Sequence, residues 1–179
     1  MMNQNTGQSR TLFTTKELVL ISILSATLTA GKLVLSFIPN VEIVTLLFIV
    51  YTLVFGRRRA LMVSVVFTTM EILFWGFSTW LIVYYILWPV LILVTSALRS
   101  RFRGEYGLAV IAGLFGLTFG FHFAVVESFF YGLSYGAVYW LRGIPFDILH
   151  GASNFITVLL LQKPLTTLLT RLNRNYFQD

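Results

Sequence analysis

The stretch GIPFDILHGASN, residues 143–154, places an acid, an imidazole and a carboxamide within about two turns of a helix. Asp147, His150 and Asn154 follow one another at intervals of three and four, the spacing that stacks side chains into one stripe. Three chemistries fit such a stripe. Asp147 and His150 can act as acid and base in an intramembrane enzyme, the pair can supply two metal ligands, or all three can hydrogen-bond a ligand. No third metal ligand is evident nearby, which disfavours a metal site. The chain has no cysteine, no G-x-x-x-x-G-K-S/T loop for ATP and no H-E-x-x-H. Its serines and threonines lack a triad partner. Ligand binding therefore ranks ahead of catalysis, and the chain itself carries no cofactor.

Other polar residues repeat the pattern. Ser25, Thr29 and Lys32 form one stripe, Glu42, Thr45 and Thr52 a second, and Ser64, Thr68 and Glu71 a third. His122 and Glu127 are five apart, about 140° around a helix, so they do not face one pocket squarely. Each group also has a plainer reading. Asp147 can be a first-turn acid favoured by the helix dipole, Glu71 can pair with Lys32 as structural glue, and His150 can be a packed histidine. Tyr84, Tyr85 and Trp88 suit core packing or an interfacial belt as well as ligand contact.

The elements that position these groups must be membrane helices. The chain is 57% hydrophobic and 11% charged, with a mean hydropathy of +0.82, too little polar residue to cover a soluble domain of 179 residues. Six apolar segments, near 16–37, 41–56, 60–75, 80–98, 107–131 and 146–169, approach the ~20 residues that cross a bilayer. Backbone groups in lipid must be satisfied within their own segment, so an all-α six-helix transmembrane bundle is predicted. Pro89 and Pro164 are expected to loosen their helices. The first run reads as a retained span and not as a signal peptide. One domain, 16–170, is expected between tails at 1–15 and 171–179.

Charge sets the orientation. Arg10, Lys16, Arg57, Arg58, Arg59, Arg99, Arg101, Arg103, Arg171 and Arg174 fall on one side if the segments alternate. Arg142 lies on the other, with Lys32 near it. The positive-inside rule then puts both termini in the cytoplasm of a multi-pass cell-membrane protein, with residues 131–145 as a long outer loop. The net charge of +6 is thus read as topology and not as a nucleic-acid surface. On this orientation Lys32, Glu42, Glu71, His122, Glu127, Asp147, His150 and Asn154 all lie toward the outside, lining something open to the exterior. An ionisable residue at membrane depth marks function by default.

Two faces of small residues stand out. Ser22, Ala26 and Ala30 recur every four residues in the first segment, and Gly116 and Gly120 do so in the fifth. Such faces let another helix approach closely, either within the chain or from a separate membrane subunit.

The small size, six spans, cytoplasmic ends, outer polar cluster and Ala26-x-x-x-Ala30 together resemble the substrate-binding S components of energy-coupling factor transporters. The likeness covers nearly the whole chain. It implies a high-affinity vitamin binder whose Ala-x-x-x-Ala face meets a transmembrane coupling subunit driven by two cytoplasmic ATPases, which alone use ATP. The stretches FIPNVEIVTLLFIVYTLVFG, YYILWPVL and GIPFDILHGASNF are similar to the cobalamin branch. Acids outnumber bases in the outer cluster, which favours a neutral or cationic ligand; corrinoids fit, and so do thiamin-like, pyrimidine-like and nucleoside-like compounds. The expected ligand contacts are Glu42, Glu71, Tyr84, Tyr85, Trp88, Tyr139, Arg142, Asp147, His150 and Asn154. The outer loop, with Tyr135, Tyr139, Trp140 and Arg142, is expected to act as a lid. Competing readings are a stand-alone enzyme or regulator using Asp147 and His150, and an ion-coupled carrier, for which an inverted repeat is not visible.

Overall fold

The computed structural model describes residues 14–102 and 104–177. Arg10, Arg103 and most of the expected N-terminal tail lie outside the described residues. The chain is an all-α bundle of α1 (Thr15–Leu35), α2 (Val44–Phe55), α3 (Arg57–Trp75), α4 (Thr79–Leu98), α5 (Glu105–Leu117), α6 (Phe119–Tyr131) and α7 (Leu133–Tyr176). By length and composition α1, α4, the α5–α6 run and α7 are apolar enough to cross a membrane.

Local chemistry explains the ends. Thr14 and Glu17 form a reciprocal capping box at the start of α1: Thr14 Oγ1 accepts from the Glu17 N–H at 3.2 Å, and Glu17 Oε2 from the Thr14 N–H at 3.1 Å. Arg59 then donates to Glu17 Oε1 at 3.0 and 3.2 Å, tying the start of α3 beside that of α1. Gly56, at φ +83°, is the whole connection between α2 and α3. Only glycine adopts that backbone without strain.

α2 has 12 residues, or ~18 Å of helix, too short to span ~30 Å of hydrocarbon unaided. It survives because Leu46, Phe48, Ile49 and Val50 are enclosed by the other helices. Its aromatic side chains build the core: Phe48 stacks on Trp88 with ring centroids 5.2 Å apart and meets Phe67 edge-on at 5.9 Å.

Two expectations need correction. The fifth segment is one apolar run, Glu105–Tyr131, but its helix is not unbroken. It breaks at Thr118, whose hydroxyl donates back to the Leu114 and Phe115 carbonyls at 3.1 and 3.2 Å, a competition with the helical ladder that bends helices. Residues 131–145 are not a loop either. After Gly132, at φ +90°, the chain reverses and runs helically for 44 residues, about 66 Å, through both Pro145 and Pro164. Tertiary packing overrides the Gly and Pro signals. α7 lies antiparallel to α6 and α5, and glycines permit the approach: Gly136 sits against Ser128, and a methyl on Gly116 would stand 2.8 Å from the Gly151 backbone.

The path of the chain gathers Lys16, Arg59 and Phe177 around one small hollow. The starts of α1, α3 and α5 and the ends of α4 and α7 therefore share the arginine-rich end. The α1–α2 connection and the first turns of α7 lie at the opposite end.

Candidate functional site

At that opposite end the polar stripes converge in three layers. The first holds Lys32 of α1 and Glu71 of α3, joined as an ion pair. Glu71 is only 1% exposed. The Lys32 ammonium also lies 5.1 Å from the Trp80 ring centre and 5.0 Å from that of Tyr84, so two π faces supplement the carboxylate. The glue reading of this pair is what the geometry displays. The Thr29 and Thr68 hydroxyls nearby on the same stripes are buried without a hydrogen-bond partner.

The second layer fastens the α1–α2 connection to α7. His150 Nε2 lies 3.3 Å from Glu42 Oε1. Glu42 Oε2 accepts from the Thr45 N–H at 2.9 Å, satisfying one of the orphan donors at the start of α2. Asn154 Nδ2 donates to Thr45 Oγ1 at 3.2 Å, and the Ser153 hydroxyl donates to the Asn40 carbonyl at 2.8 Å. Asn40 adopts φ +58°, a region asparagine tolerates better than most residues. The Phe119 ring closes on His150, with centroids 4.5 Å apart. Ser153 and Asn40 were not among the expected site residues; no local pattern signals a contact between positions so far apart in the chain.

The third layer opens to the surface. A cavity of ≈ 460 Å³ is lined by Asn40, Phe119, Gly120 and Phe123, and by Tyr135, Tyr139, Arg142, Phe146 and Asp147 of α7. Asp147 is 7% exposed. Its Oδ1 accepts from the Gly120 N–H at 2.8 Å, while Oδ2 is buried with no partner. Gly120 is required for this: a methyl there would sit 2.7 Å from both carboxylate oxygens. Arg142 is exposed at the rim, and among the described residues no hydrogen bond or ion pair engages it. The residues of the expected lid are thus helical, part of the first turns of α7.

The structure brings Glu42, His150 and Asn154 together, Glu71 near Tyr84, and Tyr139 with Arg142 and Asp147, while Glu42 precedes α2 and is not on a helical stripe with Thr45 and Thr52. Tyr85 and Trp88 are not part of this gathering. Tyr85 is exposed and bonds Thr69 at 2.8 Å, and Trp88 is stacked in the core among Phe48, Tyr84 and Phe119. Glu127 accepts from the Thr79 hydroxyl at 2.6 Å. His122 bonds the Thr118 carbonyl and lines a separate apolar groove with Val90 and Leu114. No hydrogen bond joins Asp147 to His150, and among the described residues no three His, Asp or Glu side chains are grouped closely enough to hold a metal.

The two small-residue faces have different fates. Gly116 and Gly120 pack inside against Gly151 and Asp147. Ser22, Ala26 and Ala30 face outward from α1, in a strip flanked by exposed Leu18, Ile23 and Val34. No protein-family model, curated protein or solved structure matches the chain.

Proposed function

We propose that the chain is the substrate-binding membrane subunit of a vitamin importer of the energy-coupling factor type, working with a transmembrane coupling subunit and two ATPases. The observation that carries this reading is the polarity of the bundle. A cavity with charged and aromatic walls, Arg142 among them, opens at one end, and Lys16 and Arg59 lie together at the other. The positive-inside rule turns that polarity into an outward-facing binding site with cytoplasmic termini. The outward Ser22–Ala26–Ala30 strip, bordered by apolar side chains, supplies a surface on which another membrane helix can close.

Cavity size bears on the ligand. A volume of ≈ 460 Å³ falls within the ~300–1,000 Å³ range of pockets that enclose drug-sized molecules. A small heterocyclic vitamin or precursor fits whole, whereas a corrinoid fits only in part and would stand in the mouth. Between the two ligand classes the volume favours the smaller.

Co-expressing the chain with an energy-coupling factor module in cells lacking vitamin uptake tests the role. Accumulation of at least one radiolabelled compound from a panel of cobalamin, thiamin, pyridoxamine and nucleosides is expected to rise at least tenfold over cells with the module alone. No rise for any of them contradicts the uptake role.

A further inference from the structure

We infer that the cavity selects a compact aromatic zwitterion and orients it, cationic end inward against Asp147 and anionic end at the mouth beside Arg142; this rests on the ligand-binding reading above and specifies its substrate class. The tally of charges from sequence pointed to a neutral or cationic ligand because acids outnumber bases. The structure changes that sum. Glu71 is paired with Lys32, while Glu42 and Glu127 are held in hydrogen bonds by His150, the Thr45 N–H and the Thr79 hydroxyl, and none of the three lines the cavity. What remains facing the cavity is one carboxylate and one guanidinium.

Their depths differ. Asp147 is buried, and its Oδ2 has no donor. A buried acceptor left unpaired is destabilising, more so when charged, so a ligand N–H that reaches it removes a standing penalty. The bound Oδ1 fixes the carboxylate's orientation through Gly120. Arg142 sits at the exposed rim, where a planar fork of donors suits a carboxylate or phosphate. The two residues are five apart on α7, ~7.5 Å along the helix axis and about 140° around it, yet both line the cavity, Asp147 from its buried side and Arg142 from the exposed rim. Phe119, Phe123, Tyr135, Tyr139 and Phe146 line the space between, and their faces suit a flat aromatic body. No metal and no covalent step is involved.

The test is equilibrium binding by calorimetry to the full chain in lipid nanodiscs, with three probes that differ by one charged group each. Pyridoxamine 5′-phosphate carries both ends, pyridoxamine lacks the anion, and pyridoxine 5′-phosphate lacks the ammonium. The unaltered protein is expected to bind the zwitterion at least tenfold more tightly than either truncated probe. Arg142→Gln should erase the advantage over pyridoxamine alone, and Asp147→Asn the advantage over pyridoxine 5′-phosphate alone. Equal binding of the three probes, binding of none, or equal losses for all probes in both variants would overturn the inference. Should Asp147→Asn not fold, the unaltered protein and Arg142→Gln still decide it. The outcomes separate from those of the transport role: this selectivity with no uptake in the co-expression assay defeats only the transport reading, and uptake without this selectivity defeats only the zwitterion.

Discussion

Lys32→Met is expected to destabilise the purified protein by about 3–5 kcal/mol, the scale for removing one partner of a buried ion pair. Glu71, at 1% exposure, is left with no counter-charge, and the Trp80 and Tyr84 rings lose the cation they face. The loss comes from the stranded acid more than from the bond itself. Replacing both partners with apolar groups of similar volume is often neutral, so Lys32→Met/Glu71→Leu should recover most of the stability. Denaturant titration in mild detergent checks both. A single variant within about 1 kcal/mol of the unaltered protein contradicts the pairing, because an exposed bridge is worth no more than that.

The second large effect is on assembly. Ala26→Leu/Ala30→Leu is expected to leave the melting temperature of the isolated chain unchanged, since both positions face outward. The same variant should weaken capture of a coupling subunit by at least about 25-fold. Overfilling a close helix contact costs about 1–3 kcal/mol per site, and each 1.4 kcal/mol is tenfold in affinity. Gly116→Ala provides the contrast. Its methyl would meet the Gly151 backbone at 2.8 Å, so it should lower stability first. Affinity-tag co-purification with the module reads the assembly effect, and undiminished capture of the double-leucine variant rejects this face as the docking surface.

These two small-residue faces show what a sequence makes legible. Both have the same four-residue spacing, yet one is internal and one is exposed. Spacing names a face and not its neighbour. The stripe from Asp147 to Asn154 was legible because helical geometry alone places it, as were the buried stripes of α1, α2 and α3. The pairing of Glu42 with His150, over a hundred positions away, had no local signature. The start of α7 was hidden by its composition. Gly136, Gly143 and Pro145 read as breakers, and only contact with α6, where Gly136 fits against Ser128, makes that segment helical. The break at Thr118 was equally hidden, because an apolar run carries no mark of where its ladder yields.

Because the chain contains no cysteine, single cysteines report topology cleanly. A membrane-impermeant maleimide applied to intact cells is expected to label Tyr135→Cys and Arg142→Cys, and to leave Arg58→Cys and Arg101→Cys unreacted until the membrane is opened. Labelling of positions 58 and 101 from outside, with 135 and 142 protected, would turn the cavity toward the cytoplasm and remove the basis for an uptake role.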